Sequence, residues 1–264
     1  MAFMNEDQPV RPANIVNIVG INQGKRPLTM GEPHAPGLTA RRFAALLAEA
    51  HLVIDARDAA EFGAGHIPNA YNIQLSSPEF EQRVGWVTPL DVPLLLVLDD
   101  DADAARALHN LAFLGLDQRV KGYLAGGMKA WYSAGHMQAT LPQISVHQLQ
   151  AHLQNGIGMR VLDVRETSEW DEGHIEGALY LNYKQLRDRA DELGLPLDAH
   201  LAVVCASGMR SSTASSLLQL AGFERIYNVT GGMNAWAAAR LPMVDPAGRP
   251  VRWPHASKPD WFEQ

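Results

Sequence analysis

The sequence predicts an α/β chain of two homologous domains, each a central, mostly parallel sheet flanked by helices on both faces. Two observations carry that expectation. The first is an internal repeat: VIDARDAAEFGAGHIPNA at 53–70 returns as VLDVRETSEWDEGHIEGA at 161–178, and GGMKAW at 126–131 returns as GGMNAW at 231–236. Asp55, Arg57, Glu61, Gly65, His66, Ile67 and Ala70 thus recur as Asp163, Arg165, Glu169, Gly173, His174, Ile175 and Ala178. A repeat of about one hundred residues marks duplicated domains rather than a solenoid. The second is the alternation, within each copy, of short apolar runs with stretches of helical periodicity, the pattern of a parallel sheet covered by helices.

Taken in order, the second copy reads as follows. ISVHQLQAHLQ has helical spacing, MRVLDV and LYLN are strand runs, and KQLRDRADEL is helical. HLAVVC is a buried strand, SSTASSLLQLAG a helix, RIYNV a strand and GGMNAWAAA a closing helix. The boundaries that follow are a Pro-rich lead-in at 1–37, a first domain at 38–140, a second at 141–242 and a tail at 243–264. In doubly wound sheets, ligands bind at the carboxyl ends of strands, where loops lead into helix N-termini.

Composition narrows the function. The chain has 264 residues, close to half of them hydrophobic, and a formal charge of −7. That charge argues against a nucleic-acid or anionic-membrane surface, which selects for clustered Lys and Arg. The start, MAFMNEDQPVRP, interrupts the apolar core a signal peptide needs, and no run is long enough to cross a bilayer, so a soluble, cytoplasmic protein is expected.

Cys205 is the only cysteine, which excludes an intramolecular disulfide. By residue type alone it reads as a buried thiol behaving as a small hydrophobe. By position it reads differently, because HLAVV ends there and a helix starts a few residues later. The unpaired N–H groups and dipole of a helix start favour an anion nearby, which suits a thiolate nucleophile. In the loop CASGMRS, Gly208 and the small residues Ala206, Ser207 and Ser211 let successive backbone N–H groups, Met209 included, converge above the sulfur as an anion nest. Arg210 can place a guanidinium on the same anion. The competing reading is a generic Gly-containing turn with a solvated Arg, which leaves the lone Cys at a strand end as coincidence.

LDVRETSEWDEGHIEGA, VVCASGMRSS and GGMNAW, in that order across residues 144–241, resemble the rhodanese family, so the chain looks like a tandem rhodanese-domain protein. The resemblance implies a sulfurtransferase. Cys205 would be nucleophile and carrier, taking a sulfane sulfur from a small anionic donor and passing it to cyanide or a thiol. Arg210 would hold the donor's negative group, and backbone N–H groups from Ser207 to Ser211 would stabilise the persulfide. It implies no metal and no organic cofactor. Phosphatase domains of similar fold resemble Cys-x5-Arg, whereas Cys205 and Arg210 enclose four residues, a shorter loop in which a phosphoryl group should fit poorly. The donor stays open among thiosulfate, glutathione persulfide and mercaptopyruvate, and a persulfide carrier or sensor serving a protein partner is the alternative to an enzyme.

In the first copy, aligning Gly115 with Gly222 puts Leu98 where the second has Cys205, followed by DDDAD at 99–103. There is no nucleophile, and four carboxylates would oppose an anionic donor, so this domain is expected to be inactive. Its aspartates read as caps of a helix N-terminus. Because Asp163, Arg165 and Glu169 recur in that copy, they read as an internal salt-bridge or hydrogen-bond set, and His66 and His174 as loop-fixing residues. Trp131 and Trp236 read as core anchors, with Trp236 also able to line the pocket mouth. The ten histidines form no metal-ligating pattern. Finally, residues 8–30 resemble the segment joining a metallo-β-lactamase-like persulfide dioxygenase to its rhodanese domains in fused proteins, which would make a separate dioxygenase a partner; a lead-in packing on the first domain explains them equally. Trp253, Trp261 and Phe262 are candidate anchors of the tail.

Overall fold

The computed structural model describes residues 14–25, 29, 31–89, 91–156 and 158–251. Five strands build the first sheet: β1 (Gly37–Leu38), β2 (Leu52–Asp55), β3 (Tyr71–Asn72), β4 (Leu94–Val97) and β5 (Val120–Leu124). Five more build the second: β6 (Gln143–Ile144), β7 (Arg160–Asp163), β8 (Leu179–Tyr180), β9 (His200–Val204) and β10 (Arg225–Val229). The strand orders are β1-β5-β4-β2-β3 and β6-β10-β9-β7-β8, and every pairing is parallel. Helices cover both faces, as parallel sheets require. The duplicated α/β architecture expected from the repeat is what the chain forms.

Several elements differ from the sequence reading for local reasons. ISVHQLQAHLQ divides: Gln143–Ile144 is the edge strand β6, and the helix Val146–Gln154 starts after Ser145, which accepts from Gln148 N–H in a capping box. KQLRDRADEL yields only one α-helical stretch, Leu186–Arg189, between 3₁₀ turns at Tyr183–Gln185 and Ala190–Leu193. The polar TSEWDE is a helix, Thr167–Glu172, too short to show a period and capped by Glu166 and Glu169.

The central strands β4 and β9 are almost wholly buried. Alternate residues of β9 serve two cores. Leu201, Val203 and then Cys205 join a cluster continuous with the first domain, whereas Ala202 and Val204 face a second cluster around Trp236. The helix Met209–Leu220 lies between its own sheet and the first domain, which is why residues 211–218 are all buried and mostly small. Ser212 and Thr213 donate to the side chain and backbone carbonyl of Asn72 at the end of β3, and Ser216 accepts from its N–H. These polar groups lock the two domains together at the helix that begins beside Cys205.

The repeated Asp-x-Arg is a buried ion pair in both domains. Arg165 binds Asp163 at 2.7 Å and also donates to the Gly173 carbonyl, as Arg57 binds Asp55 and the Gly65 carbonyl. His66 and His174 bond the carbonyls of Phe62 and Trp170 and stack on the same two rings. Both sets fix the turn after the strand, as their recurrence predicts. Of the lead-in, the helix Ile15–Asn22 packs on the first domain, with Asn14 donating to the Leu114 carbonyl. Residues 1–13, 26–28 and 30 of the lead-in, and Trp253, Trp261 and Phe262, lie outside the described residues. Among the described residues, no helix is long and apolar enough to cross a membrane.

Replacing Asp163 with alanine leaves the Arg165 guanidinium buried without its carboxylate. Urea denaturation should show a loss of about 3 kcal/mol or more; a loss below about 1 kcal/mol would mean that the turn does not depend on the pair.

Candidate active site

Cys205 follows β9 directly, and its side chain has 0% exposure. The chain then turns through Gly208, whose φ of 101° lies in the left-handed region that favours glycine, and enters the helix Met209–Leu220. That turn brings the Gly208 N–H to 3.1 Å from Cys205 Sγ. The sulfur therefore sits under a backbone donor at a helix start.

What holds the loop in this orientation is the helix Gly232–Ala238. Its first free N–H groups, on Met233 and Asn234, donate to the carbonyls of Cys205 and Ala206 at 2.7 and 2.9 Å. A Cβ on Gly232 would stand 2.2 Å from the Cys205 carbonyl oxygen, so the second glycine of GGMNAW is dictated by this close approach. Asn228 on β10 completes the clamp. Its Nδ2 donates to the Gly208 carbonyl at 3.3 Å and to Gln143 Oε1, while its Oδ1 accepts from Ser211 Oγ at 2.6 Å. The loop carbonyls are thereby drawn into the protein.

Arg210 makes a forked contact with Glu169, its Nη1 and Nη2 lying 2.6 and 2.7 Å from the two carboxylate oxygens. Burial opposes the Arg210 charge, yet the Glu169 hydrogen bonds and the neighbouring Cys205 sulfur hold its pKa above the ordinary value. Burial likewise works against the Glu169 carboxylate, but the Arg210 pairing outweighs it and the pKa falls below 4.5. Glu169 thus has the salt-bridge role that its recurrence predicts, but with Arg210 of the loop rather than in one set with Asp163 and Arg165. Its helix, Thr167–Glu172, is the element that the periodicity missed.

Ser207, Met209 and Arg210 line a cavity of 450 Å³. Cys205, Gly208 and Ser211 are buried, and Ala206 is half-buried. Across the cavity stand Arg83 and Trp86 from the helix Phe80–Val87 of the first domain, with Tyr183 and Lys184 of the second. Burial pushes the Tyr183 phenol up to about 12, so it is a neutral hydrogen-bonding group at neutral pH. Trp236 is not at this mouth: it is 1% exposed, its Nε1 donates to the Pro242 carbonyl, and it anchors the opposite core. Sequence reasoning also missed Asn228 and the first-domain helix. Asn228 had a signal, since the equivalent of this buried strand position in the first copy is Tyr123, whereas the helix had none.

The family model described as the rhodanese-like domain matches residues 39–134 and 145–239. The chain belongs to the rhodanese-like family. Among relatives of its rhodanese-like domains, the thiosulfate sulfurtransferase GlpE of Shewanella oneidensis is 31% identical over 101 residues, 38% of this chain and 97% of that protein. A sulfurtransferase of Allochromatium vinosum is 33% identical over 106 residues, 40% of this chain and 97% of the relative. The putative sulfur carrier protein YrkF of Bacillus subtilis is 30% identical over 98 residues, 37% of this chain, and the match spans about half of that protein, 52%. A solved rhodanese-like domain from Anabaena is 33% identical, covering 45% of this chain and 88% of that one with a TM-score of 0.39.

The two rhodanese-like domains share the scaffold and differ in the loop. Gly127 meets the Leu98 carbonyl as Gly232 meets that of Cys205, which makes the two positions equivalent. After Leu98, Asp100 Oδ1 accepts from Ala102 N–H and Asp101 Oδ1 from Gly126 N–H, each at 2.9 Å. Asp103 pairs with Arg106. Asp100 and Asp101 thus satisfy backbone N–H groups, but neither caps the helix Asp103–Ala112 as their position predicts, since Ala102 stands at its N-cap and makes no side-chain cap hydrogen bond. Asp99 lines a cavity of 820 Å³ together with Glu61 and Lys129, and burial raises its pKa.

The lowered Glu169 pKa makes its contribution to stability pH-dependent. A depressed folded-state pKa stabilises above the unfolded-state value and loses that contribution as pH falls through the folded-state one. The melting temperature of the native protein should exceed that of Glu169→Gln at pH 7, and the gap should close below pH 4.5. A gap that is the same at both pH values would dissociate Glu169 from Arg210.

Proposed function

We propose that the chain is a sulfurtransferase that moves a sulfane sulfur from thiosulfate or a low-molecular-weight persulfide, through a persulfide on Cys205, to cyanide or a thiol. The observation that carries this reading is the Gly208 N–H on Cys205 Sγ, in a four-residue loop that ends at Arg210. In the first step the Cys205 thiolate attacks the outer sulfur of thiosulfate. A new S–S bond forms, the old one breaks, and sulfite leaves with the bonding pair. In the second step the acceptor attacks the outer sulfur of the persulfide, and Cys205 leaves as the thiolate. The sulfur atom is carried without any net change in the enzyme.

The chain's own groups divide the work. The Gly208 N–H stabilises charge on the bound sulfur, and the clamp of Asn228 and the helix Gly232–Ala238 keeps loop carbonyls away from it. Arg210, tied to Glu169, offers a fixed rather than a free cation, so it positions the donor more than it attracts it. The buried sulfur is approached from the cavity between the domains. Two relatives named thiosulfate sulfurtransferase support thiosulfate as a donor.

A second reading, a non-catalytic persulfide carrier or sensor delivering sulfur to a protein, draws on the full burial of Cys205 and on the relative named a sulfur carrier. Steady-state turnover of thiosulfate with cyanide separates the two. Cys205→Ser should remove turnover, a loss of at least about 10³-fold. Arg210→Ala should mainly raise KM, by about tenfold. Turnover that survives Cys205→Ser would sink the mechanism, and no turnover by the native protein would favour the carrier.

A further inference from the structure

The catalytic cavity is built from both domains, and its first-domain wall contains an incompletely satisfied cation. Arg83, on the helix Phe80–Val87, is 6% exposed. Its Nη2 donates to Glu79 Oε2 at 3.1 Å, and Glu79 itself is half exposed. The Nε and Nη1 of Arg83 are buried with no hydrogen-bond partner. A guanidinium taken out of water with two nitrogens unpaired is destabilising unless something else binds there. Because Arg83 lines the same cavity as Arg210, that partner would enter beside the catalytic loop.

The other charges around the cavity are already matched. Lys184 lies 2.7 Å from Glu166 and over the Trp86 ring, and Arg210 is forked on Glu169. The 450 Å³ volume falls within the roughly 300–1,000 Å³ of small-molecule sites and exceeds what a lone inorganic anion fills. Nε and Nη1 do not form a fork, since the nitrogen beside the Nε–H is Nη2, which Glu79 holds, but either can donate a charge-assisted hydrogen bond to one carboxylate oxygen.

We propose that Arg83 of the first domain is a specificity-determining residue, binding the carboxylate of an organic thiol or persulfide whose sulfur end meets Cys205. The inference rests on the sulfur-transfer reading above. It gives the domain without a nucleophile a share in substrate recognition. In the transfer step, the acceptor thiolate attacks the outer sulfur of the Cys205 persulfide and becomes a persulfide itself, while the Cys205 thiolate leaves. Arg83 touches only the remote carboxylate and takes no part in bond exchange.

The test loads Cys205 from thiosulfate and follows single-turnover transfer to 3-mercaptopropionate and to 3-mercapto-1-propanol, which replaces the carboxylate by an alcohol, with rates corrected for thiolate fraction. The native protein should prefer the carboxylate by about tenfold. Arg83→Gln should abolish that preference by bringing the carboxylate rate down to the alcohol rate, and Arg83→Lys should restore part of it. Three results would overturn the proposal: no preference in the native protein, a preference that survives Arg83→Gln, or an equal fall with both acceptors. Because the native preference is read without any variant, a misfolded Arg83→Gln would not shield the proposal. Failure of the native protein to load would overturn sulfur transfer itself and this inference with it, whereas loading without preference would overturn this inference alone.

Discussion

The helix Gly232–Ala238 approaches the end of β9 so closely that only a glycine fits at its first position, and the site depends on that approach. Two N–H groups at its start take the carbonyls of Cys205 and Ala206, and Asn228 takes that of Gly208. A peptide whose carbonyl is held in one direction must present its N–H in the other. Fixing these carbonyls fixes the N–H groups of Ala206, Ser207 and Met209, and with them the course of the loop in which the Gly208 N–H faces the sulfur, before any ligand arrives. Such preorganisation is where electrostatic stabilisation in a site comes from, since the dipoles need not reorient during reaction.

Duplication lets the chain keep this scaffold twice and use it differently. The glycine contact, the buried Asp-x-Arg pair and the stacked histidine are common to both domains. What separates the two loops is Cys205 in place of Leu98, the five residues that follow, and Asn228 on the neighbouring strand in place of Tyr123. Aspartates in the first loop satisfy backbone N–H groups with their own side chains, whereas the second loop spends its N–H on sulfur. The polar seam between Asn72 and the helix Met209–Leu220 then joins the first domain to the helix on which the second loop is seated. Arg83 and the loop after Cys205 are thus brought to one cleft from opposite halves of the chain.

Much of this was legible in the sequence, because repeats and strand-end positions are local patterns. VIDAR and VLDVR announced two parallel sheets, and a lone Cys between HLAVV and a helix announced the loop. Contacts made across the chain were not legible. Glu169 was grouped with its sequence neighbours, since recurrence in the first copy spoke for a shared role, while its actual partner lies 41 residues away on another element. Arg83 looks like any helical arginine in FEQRVGWV; only packing strips it of water. Short polar helices such as Thr167–Glu172 escape periodicity because six residues hold fewer than two turns.

The central claim is that Cys205 carries sulfur covalently, and the mass of the intact protein tests it most directly. After thiosulfate, the account predicts a gain of one sulfur atom, located on the peptide containing Cys205 and lost when cyanide or a thiol is added. Fully reduced, folded protein that gains no sulfur from thiosulfate or from any low-molecular-weight persulfide would contradict it.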